Sequence, residues 1–424
     1  MTPSHDSAGA TPAARYSVLA WSVVGLALVL YYPQFSTGYG GTAIFLLAGD
    51  CMLQGEQLSA CSPGFSYPPF FALFMVPLSI LPLWAGKLGW YGVLIVATYG
   101  SFRICETLTV RAFDLTRKEL IWVRLFTLVL SLKFMLAVFA NQAYDVVVLF
   151  FLLVGLYGLS GNRTLLGAFG LAAAAALKAT PLLMLLYPLL HRKWKLSALG
   201  VGLCAALSLL PDVFFPRSHA NAGYLRTWLV EFASGGLFGT RPAEGYSQFF
   251  QGSNNLNQSL KTFVYRLVDP RDLPWGDFSA QAEVILYVVY LVYCLTALVI
   301  VLRSAKVQGT YLWGASVVVI SMLLLSPISS KSHFVVLLLP HMAIVAYLIR
   351  HREAWRVVVP LLCASFALNT LTSKLVMGRE LSNQMLSSGC ITLGTLLLLA
   401  VVALIVLQSR KAAKPLPGEM PRAG

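Results

Sequence analysis

A short polar segment between two apolar stretches carries side chains that suit a hydroxyl-rich ligand. Asn141, Gln142 and Asp145 fall within five consecutive residues there. Amide groups donate and accept hydrogen bonds, and a carboxylate accepts them, so the combination matches the needs of hydroxyl groups. The alternative is structural, because Asn or Asp at the start of a helix also serves as an N-cap. The segment predicts a binding position at a helix start, with capping as the competing interpretation.

Cationic and imidazole side chains stand at other boundaries of apolar segments and suit a phosphate group. Lys178 interrupts the apolar run 164–190, and Arg266 lies in a polar stretch. Lys331 and His333 come where a later apolar segment begins. Charged donors make strong hydrogen bonds to phosphate oxygens, and histidine supplies a proton near neutral pH. For Lys178 the alternative is a side chain that extends its ammonium group to the surface.

Neutral hydrogen-bonding residues gather in one run of the polar stretch and beside a pair of prolines. Tyr67 precedes Pro68 and Pro69, an arrangement that is also typical of an interfacial tyrosine before a first helical turn. Surface loops often carry Asn-rich runs without function. Both features are candidates for ligand contact, and the run consists of Asn254, Asn255, Asn257, Gln258 and Ser259.

Two carboxylates and two cysteines lie in the polar loop that follows the first apolar segment. Asp50 has apolar neighbours, whereas Glu56 does not. A carboxylate in reach of a hydroxyl group can act as a general base, and Asp145 is the nearest candidate outside this loop. A solvated surface acid is the alternative for Asp50. Cys51 and Cys61 can be joined if the loop faces an oxidising compartment, or can stay unpaired.

The elements that must position these residues are membrane-spanning helices. The chain has 424 residues, of which 58% are hydrophobic and 11% charged, whereas a soluble protein has about 25% charged residues. At about 20 residues per crossing, we predict an all-α, polytopic bundle of about 11–13 spans, with outer-face loops that carry short helices. The net charge of +14 sits in short basic runs between apolar segments, which is typical of cytoplasmic loops and not of a nucleic-acid-binding surface.

Basic clusters predict the topology of the bundle. They follow alternate apolar segments in the C-terminal half, so we expect a cytoplasmic C-terminus and outward loops near 328–332 and 373–387. The first apolar segment reads as an uncleaved anchor that follows a cytoplasmic N-terminal tail. The predicted organisation is a cytoplasmic tail at 1–15, a transmembrane domain at 16–408 with outer loops at about 33–66 and 211–281, and a cytoplasmic tail at 409–424.

Two regions of the predicted bundle are irregular. The apolar run 164–190 contains a lysine and a proline at its centre, which favours a broken helix or two half-helices lining a cavity. The region 67–104 holds two apolar stretches around Pro82, and counting both as crossings conflicts with a cytoplasmic position for the basic run 103–118. The sequence leaves open how many times this region crosses the membrane.

The order of these segments resembles glycosyltransferase family 87. This family is a branch of the GT-C superfamily, whose multi-spanning enzymes take a sugar from a polyprenyl phosphate. The resemblance runs from the first outer loop to about Pro340. Its pieces are AGDCMLQGEQL, SYPPFFALFMVPLSILP, NQAYDVVVLFFLLVGL, LAAAAALKATPLLMLLYPLLHRKW, NNLNQSL and SHFVVLLLP.

The resemblance implies a GT-C-type helical bundle and an inverting hexosyltransferase. The donor would be a polyprenyl-phosphate sugar, with mannose favoured, and the acceptor a lipid or glycan at the outer, periplasmic face of a bacterial cytoplasmic membrane. It implies membrane lipids as partners and neither a metal nor another cofactor. We predict Asp50 as the catalytic base, the donor phosphate at His333, Lys331, Lys178 and Arg266, and the sugar or acceptor at Tyr67, Asn141, Gln142, Asp145, Asn255, Asn257, Gln258 and Ser259.

Two departures from the family pattern leave alternatives open. Members typically carry an Asp at the start of the first outer loop, where this chain has Gly41, and more often carry Asn where it has Tyr144. Asp50 takes over as the base, or the register differs, or the activity has been lost or changed. The rival interpretations are a non-catalytic or repurposed sugar-lipid-binding protein and a secondary transporter. A transporter would show halves of matching pattern, which this sequence lacks.

Overall fold

The computed structural model describes most of the chain as helix. The described residues are 29–38, 40–215, 223–233, 255–269, 278–307 and 309–412. No strand occurs among them. The predicted N-terminal tail, most of the first apolar segment, much of the polar stretch 211–281 including Asn254, and the end of the C-terminal tail lie outside the described residues.

Seventeen helices follow a helical segment at 29–37 within the described parts of the chain. Short 3₁₀-helices precede α14 and α15, at Lys331–Leu337 and Arg352–Ala354, and a π-helical turn at Leu229–Ala233 follows α10. The helices are α1 Gly41–Leu53, α2 Leu58–Cys61, α3 Pro69–Ser79, α4 Leu83–Phe113, α5 Arg117–Ala140, α6 Asp145–Ser160, α7 Thr164–Leu177, α8 Leu182–Leu190, α9 Trp194–Phe214, α10 Tyr224–Trp228, α11 Leu260–Val268, α12 Ala280–Ser304, α13 Thr310–Leu324, α14 Leu338–Arg350, α15 Trp355–Thr370, α16 Lys374–Ser387 and α17 Cys390–Ala412.

Six of the described helical segments are long and apolar enough to cross a membrane. A seventh candidate is the pair formed by α15 and α16, which is bent by 80° at its break. Five shorter apolar helices of 10–17 residues accompany them. The prediction of an all-α polytopic membrane protein is confirmed, and a count of 11–13 spans is reached only if the shorter helices also cross. Sidedness stays a prediction.

The structure defines the two regions that the sequence left irregular. The run 164–190 is broken at 178–181, between α7 and α8, as the lysine and proline predicted. The region 67–104 holds the 11-residue α3 and then α4, whose 31 residues extend about 47 Å. The two apolar stretches therefore form one short helix and one long helix. The basic run 103–118 covers the end of α4 and the start of α5.

One predicted loop is helical instead. The segment 373–387, expected as an outward loop, forms α16, which is kinked where Gly378 adopts a φ of 73°. A residue without a Cβ takes that conformation without strain, so the chain bends there and continues as a helix. Since the sequence predicts outer-face loops that carry short helices, this helix fits that expectation, and the side of the membrane on which it lies stays a prediction.

Close packing of α6 against α7 brings two sequence-distant side chains to one end of a helical hairpin. A Cβ placed on Gly158 would lie 2.3 Å from the backbone nitrogen of Gly167, and one placed on Gly170 would lie 2.4 Å from that of Gly155. Small residues at such crossings let helix backbones approach closely. Asp145 begins α6 and Lys178 follows α7, so the hairpin places both at its open end.

A disulfide closes the first part of the loop that follows the helical segment at 29–37. It joins Cys51 in α1 to Cys61 in α2, with their Cα atoms 6.0 Å apart. The structure thus selects pairing from the two states that the sequence left open for these cysteines. Since α1 also packs on α3, the loop is fixed to the bundle at both ends.

Candidate active site

The centre of the site is an ion pair between Asp145 and Lys178. The lysine Nζ lies 2.6 Å from the aspartate Oδ1, and the two side chains are 14% and 3% exposed, respectively. A carboxylate taken out of water is expensive unless it is paired and hydrogen-bonded. The helical hairpin supplies the pairing, and the position of Asp145 in the first turn of α6 adds the positive end of that helix.

A third element, the 3₁₀-helix at Lys331–Leu337, brings His333 to the same carboxylate. This helix packs against α5 and α6, and His333 Nε2 lies 3.7 Å from Asp145 Oδ1. The backbone N–H of Ser330 donates to His333 Nδ1 at 3.3 Å, so neutral His333 carries its proton on Nε2.

Two tyrosines form the wall beside the ion pair. Tyr144 is buried and packs on Tyr67 and Phe71, with ring centroids 4.7 and 4.3 Å away. The Lys178 ammonium lies 5.5 Å from the centroid of Tyr144, whose buried hydroxyl has no hydrogen-bond partner among the described residues. Burial, and next the charge of Asp145, raise the pKa of the Tyr67 phenol, which therefore stays neutral.

A small cavity of about 20 Å³ opens beside these groups. Asp145, Lys178 and His333 line it together with Thr180 and hydroxyl-bearing residues of the 326–329 turn, and apolar side chains of α13 form the opposite wall. Its volume suffices for a water molecule and is smaller than a sugar ring. A ligand that reaches the cluster must therefore widen this space.

Lys331 faces a different set of neighbours from His333. Its ammonium donates to the carbonyl of Thr372 at 2.9 Å, and Lys133 on α5 binds the hydroxyl of the same threonine. Lys374 begins α16, two residues after that threonine. In the part of the chain that the structure describes, no carboxylate lies within ion-pair distance of these three ammonium groups. The result is a concentration of positive charge next to the cavity, suited to a phosphate.

The Asn-rich run serves mainly to hold elements together. Asn257 donates from Nδ2 to the carbonyl of Pro327 at 2.9 Å and accepts the backbone N–H of Ser329 at 3.0 Å. Gln258 donates to the carbonyls of Asn255 and Leu386. These bonds tie the start of α11 to the turn that lines the cavity. The predicted sugar contacts of the run are therefore one layer behind the cavity wall.

Ser259 and Arg266 complete this layer. Ser259 caps α11, its hydroxyl accepting the backbone N–H of Thr262. Arg266 donates to the carbonyl of Asn257 at 3.0 Å, and burial lowers the pKa of its guanidinium to about 10. The predicted phosphate role of Arg266 stays a prediction, since the residue faces the backbone of the run.

Gln142 and Asn141 also lie next to the site without lining the cavity. The side chain of Gln142 donates to the carbonyl of Phe35 at 2.5 Å and accepts the backbone N–H of Thr42 at 3.1 Å. The carbonyl of Asn141 accepts the backbone N–H of Gly41 at 3.0 Å, and its side chain is exposed. The turn before Asp145 is thereby fixed to the start of α1.

The carboxylates of the outer loop occupy a different environment. Asp50 is half-buried on α1, where its carboxylate accepts a hydrogen bond from Gln54 Nε2 at 2.8 Å. Neither Asp50 nor Glu56 lines the cavity of Asp145. At Gly41, where the resemblance places an Asp, a Cβ would come within 2.5 Å of the Phe45 ring. That ring packs edge-on against Tyr144, so both departures from the family pattern touch one aromatic cluster.

A second cavity lies on the other side of Tyr67 and was missed from the sequence. Tyr67 lines it together with Ser59, Trp228 and Glu231. The last two follow the start of α10, in the polar stretch that was expected to form an outer subdomain. No spacing marks them, because the contacts join residues more than 150 positions apart.

The fold and the site define an integral membrane protein whose helices enclose a buried cluster of ionic and aromatic side chains. The model of glycosyltransferase family 87 matches residues 65–327, which is more than half of the chain. The protein belongs to glycosyltransferase family 87. The resemblance to this family that the sequence predicted is therefore confirmed.

A curated relative and a solved structure give further comparisons. The relative is the polyprenol-phosphate-mannose-dependent alpha-(1-2)-phosphatidylinositol pentamannoside mannosyltransferase of Mycolicibacterium smegmatis, 27% identical over 273 residues. The match spans 64% of this chain and 58% of that protein. The apo crystal structure of ArnT from Cupriavidus metallidurans aligns with 93% of this chain and 79% of its own, at a TM-score of 0.41 and 14% identity.

Proposed function

We propose that this protein transfers a hexose, mannose in the first instance, from a polyprenyl-phosphate donor to a lipid or glycan acceptor. The transfer takes place at the outer face of a bacterial cytoplasmic membrane. The observation that carries the proposal is the buried Asp145–Lys178–His333 cluster at a cavity, in a member of a glycosyltransferase family. The mannosyltransferase relative supports the donor class.

The donor phosphate is assigned to the side of His333 and Lys331. Lys178 is already paired with Asp145, whereas Lys331, Lys133 and Lys374 have no carboxylate within ion-pair distance in the described chain. Positive charge that is not neutralised internally stabilises a phosphate leaving group. His333, with its Nε2 proton, reaches from this side towards the cavity.

The base is a choice between two carboxylates. Asp50 is the base that the sequence predicts, and the geometry favours Asp145, because Asp145 lines the cavity and is kept ionised by Lys178. In either case the carboxylate accepts the proton of the acceptor hydroxyl group. The oxygen of that hydroxyl group attacks the anomeric carbon at the same time. The bond from that carbon to the phosphate oxygen breaks, and polyprenyl phosphate leaves with the electron pair. Such a base contributes about 10²–10⁴ in rate.

Transfer of label tests the proposed function. Purified protein is incubated with polyprenyl-phosphate [¹⁴C]mannose and host lipid extract, and labelled product and released polyprenyl phosphate are measured. We expect both to appear together in the wild type and in His351→Ala, whose histidine pairs with Glu353 at 3.1 Å away from the cavity. His333→Ala should be impaired. Donor that is bound but never cleaved would favour a sugar-lipid-binding protein, and label that accumulates inside vesicles unchanged would favour a transporter.

A further inference from the structure

We propose that the second cavity, lined by Ser59, Tyr67, Trp228 and Glu231, binds a neutral sugar ring of the acceptor. This cavity is separate from the cavity of Asp145 and lies between α2 and α10. Its volume is also about 20 Å³, so a sugar ring must widen this space as well. The inference rests on the proposed function, because a sugar at this place acts as the acceptor only if transfer occurs.

Trp228 supplies a rigid aromatic surface to the cavity. Its indole N–H donates to the carbonyl of Ser66 at 3.1 Å, and its ring stacks on Phe232 with centroids 6.1 Å apart. The side chain is half-buried, so part of its surface is accessible. A fixed aromatic surface packs against the C–H face of a pyranose and loses little entropy on binding.

Glu231 supplies hydrogen-bond acceptors that are held in place by neutral donors. One carboxylate oxygen accepts from Gln57 Nε2 at 2.6 Å and the other from the Ser59 hydroxyl at 2.8 Å. Across the described ranges of the chain, no cationic side chain pairs with it. A carboxylate has about four acceptor positions, so positions are left for hydroxyl groups of a ligand.

The charge of this cavity selects a neutral ligand over a phosphate. Glu231 repels an anion, whereas the positive charge around Lys331 and His333 attracts one. The charges around the two cavities therefore differ in sign. This difference favours an acceptor sugar in the second cavity and a donor phosphate near the first. Aromatic side chains with a few fixed polar groups are typical of small-molecule sites.

Tyr67 links the second cavity to the ion cluster. It lines this cavity, and its phenol also interacts with the charge of Asp145. Tyr67 also packs on Tyr144, the residue before Asp145, with their ring centroids 4.7 Å apart. A sugar ring held beside Trp228 and Glu231 therefore lies across the Tyr67 side chain from the ion cluster, and its hydroxyl group must pass this side chain to come within hydrogen-bond distance of Asp145.

Direct binding tests the inference without relying on transfer. Saturation-transfer NMR is recorded on the full-length protein in a detergent without a sugar headgroup, with methyl α-D-mannopyranoside, methyl α-D-glucopyranoside and glycerol phosphate as probes. We expect signal for at least one glycoside with the wild type and with Trp194→Ala, whose tryptophan is 63% exposed elsewhere on the surface. Trp228→Ala and Glu231→Gln should weaken that signal at least fivefold. Equal signal in all four proteins, no glycoside signal at all, or signal only from glycerol phosphate would overturn the inference.

Kinetics distinguish failure of the inference from failure of the proposed function. With octyl α-D-mannopyranoside as acceptor, Trp228→Ala should raise the acceptor KM about tenfold or more while slow hydrolysis of the donor by water keeps its rate. Glu353→Gln is the control for Glu231→Gln. An unchanged acceptor KM overturns the sugar cavity and leaves the transferase intact. Absence of both donor hydrolysis and transfer in the wild type overturns the proposed function. Glycoside binding detected by NMR then shows only that the cavity binds a sugar.

Discussion

The carboxylates of the outer loop and the carboxylate at the start of α6 differ in burial, and in each case the burial is the opposite of what the sequence neighbours indicate. Asp50 has Leu47 and Leu53 close by in sequence, yet those leucines are 43% and 40% exposed, and the acid bonds to Gln54 on its own helix. Asp145 follows a polar segment, yet it is buried between Lys178 and His333. Burial of an acid is decided by which helices pack around it, and the sequence neighbours give little indication of it.

The difference has a chemical consequence. The half-buried carboxylate of Asp50 bonds to an amide at the end of α1 and has no cationic partner among the described residues. A buried carboxylate that is paired with Lys178 and approached by His333 is costly to form, so the fold that maintains it needs compensating contacts. We therefore propose Asp145 as the reacting centre.

The largest effect is expected when Asp145 loses its charge. Asp145→Asn should lower transfer by about 10²–10⁴ and destabilise the protein by about 3 kcal/mol or more, because Lys178 is left buried and unpaired. The double variant Asp145→Asn with Lys178→Met should recover stability and stay inactive. Thermal unfolding and label transfer measure the two properties, and recovery of transfer in the double variant would show that the pair is only structural.

A smaller loss is expected for His333→Ala. Removing a proton donor or charge-stabilising group near the phosphate should lower transfer about 10- to 100-fold, with expression unchanged. His351→Ala is the matched control, since it removes a histidine outside the cavity. Normal turnover by His333→Ala would break the link between the cavity and the phosphate.

Substitutions at Gly41 test whether the start of α1 tolerates the Asp that is typical of the family. A Cβ at this position would come within 2.5 Å of the Phe45 ring, and overpacking of this kind costs about 1–3 kcal/mol. Gly41→Ala should lower the melting temperature, whereas Gly92→Ala, with open space around its Cβ, should not. Gly41→Asp should be destabilised and gain no activity; a gain would indicate a decayed transferase whose base can be restored.

The smallest effect is expected at Glu56. Its carboxylate lines neither cavity, so Glu56→Gln should change transfer by less than about twofold and leave stability within about 0.5 kcal/mol. The measurement is the same label-transfer assay. A loss comparable to that of His333→Ala would place the outer loop in the reaction.

Much of the fold was predictable because apolar runs and basic clusters mark helix boundaries. The break at Lys178 appeared where a charge and a proline coincide. The expected loop at 373–387 contains the helix α16, and low hydropathy alone does not distinguish an exposed helix from an irregular loop.

The site was predictable as a set of residues and not as an arrangement. Asp145, Lys178 and His333 were each singled out, yet they come from three separate elements, and only packing shows that they converge on one oxygen atom. Lys133 had a sequence signal, a charge inside an apolar segment, that went unused. Glu231 had none, because its partners lie in a distant loop.

The most direct test compares two single substitutions in one assay. Asp145→Asn and Asp50→Asn are supplied with polyprenyl-phosphate [¹⁴C]mannose and acceptor, and both transfer and donor binding are measured. Our account predicts that Asp145→Asn loses at least about 100-fold in transfer while still binding donor, and that Asp50→Asn stays within about threefold of the wild type. Loss of transfer in Asp50→Asn with normal turnover in Asp145→Asn would contradict it and return the reacting centre to the outer loop.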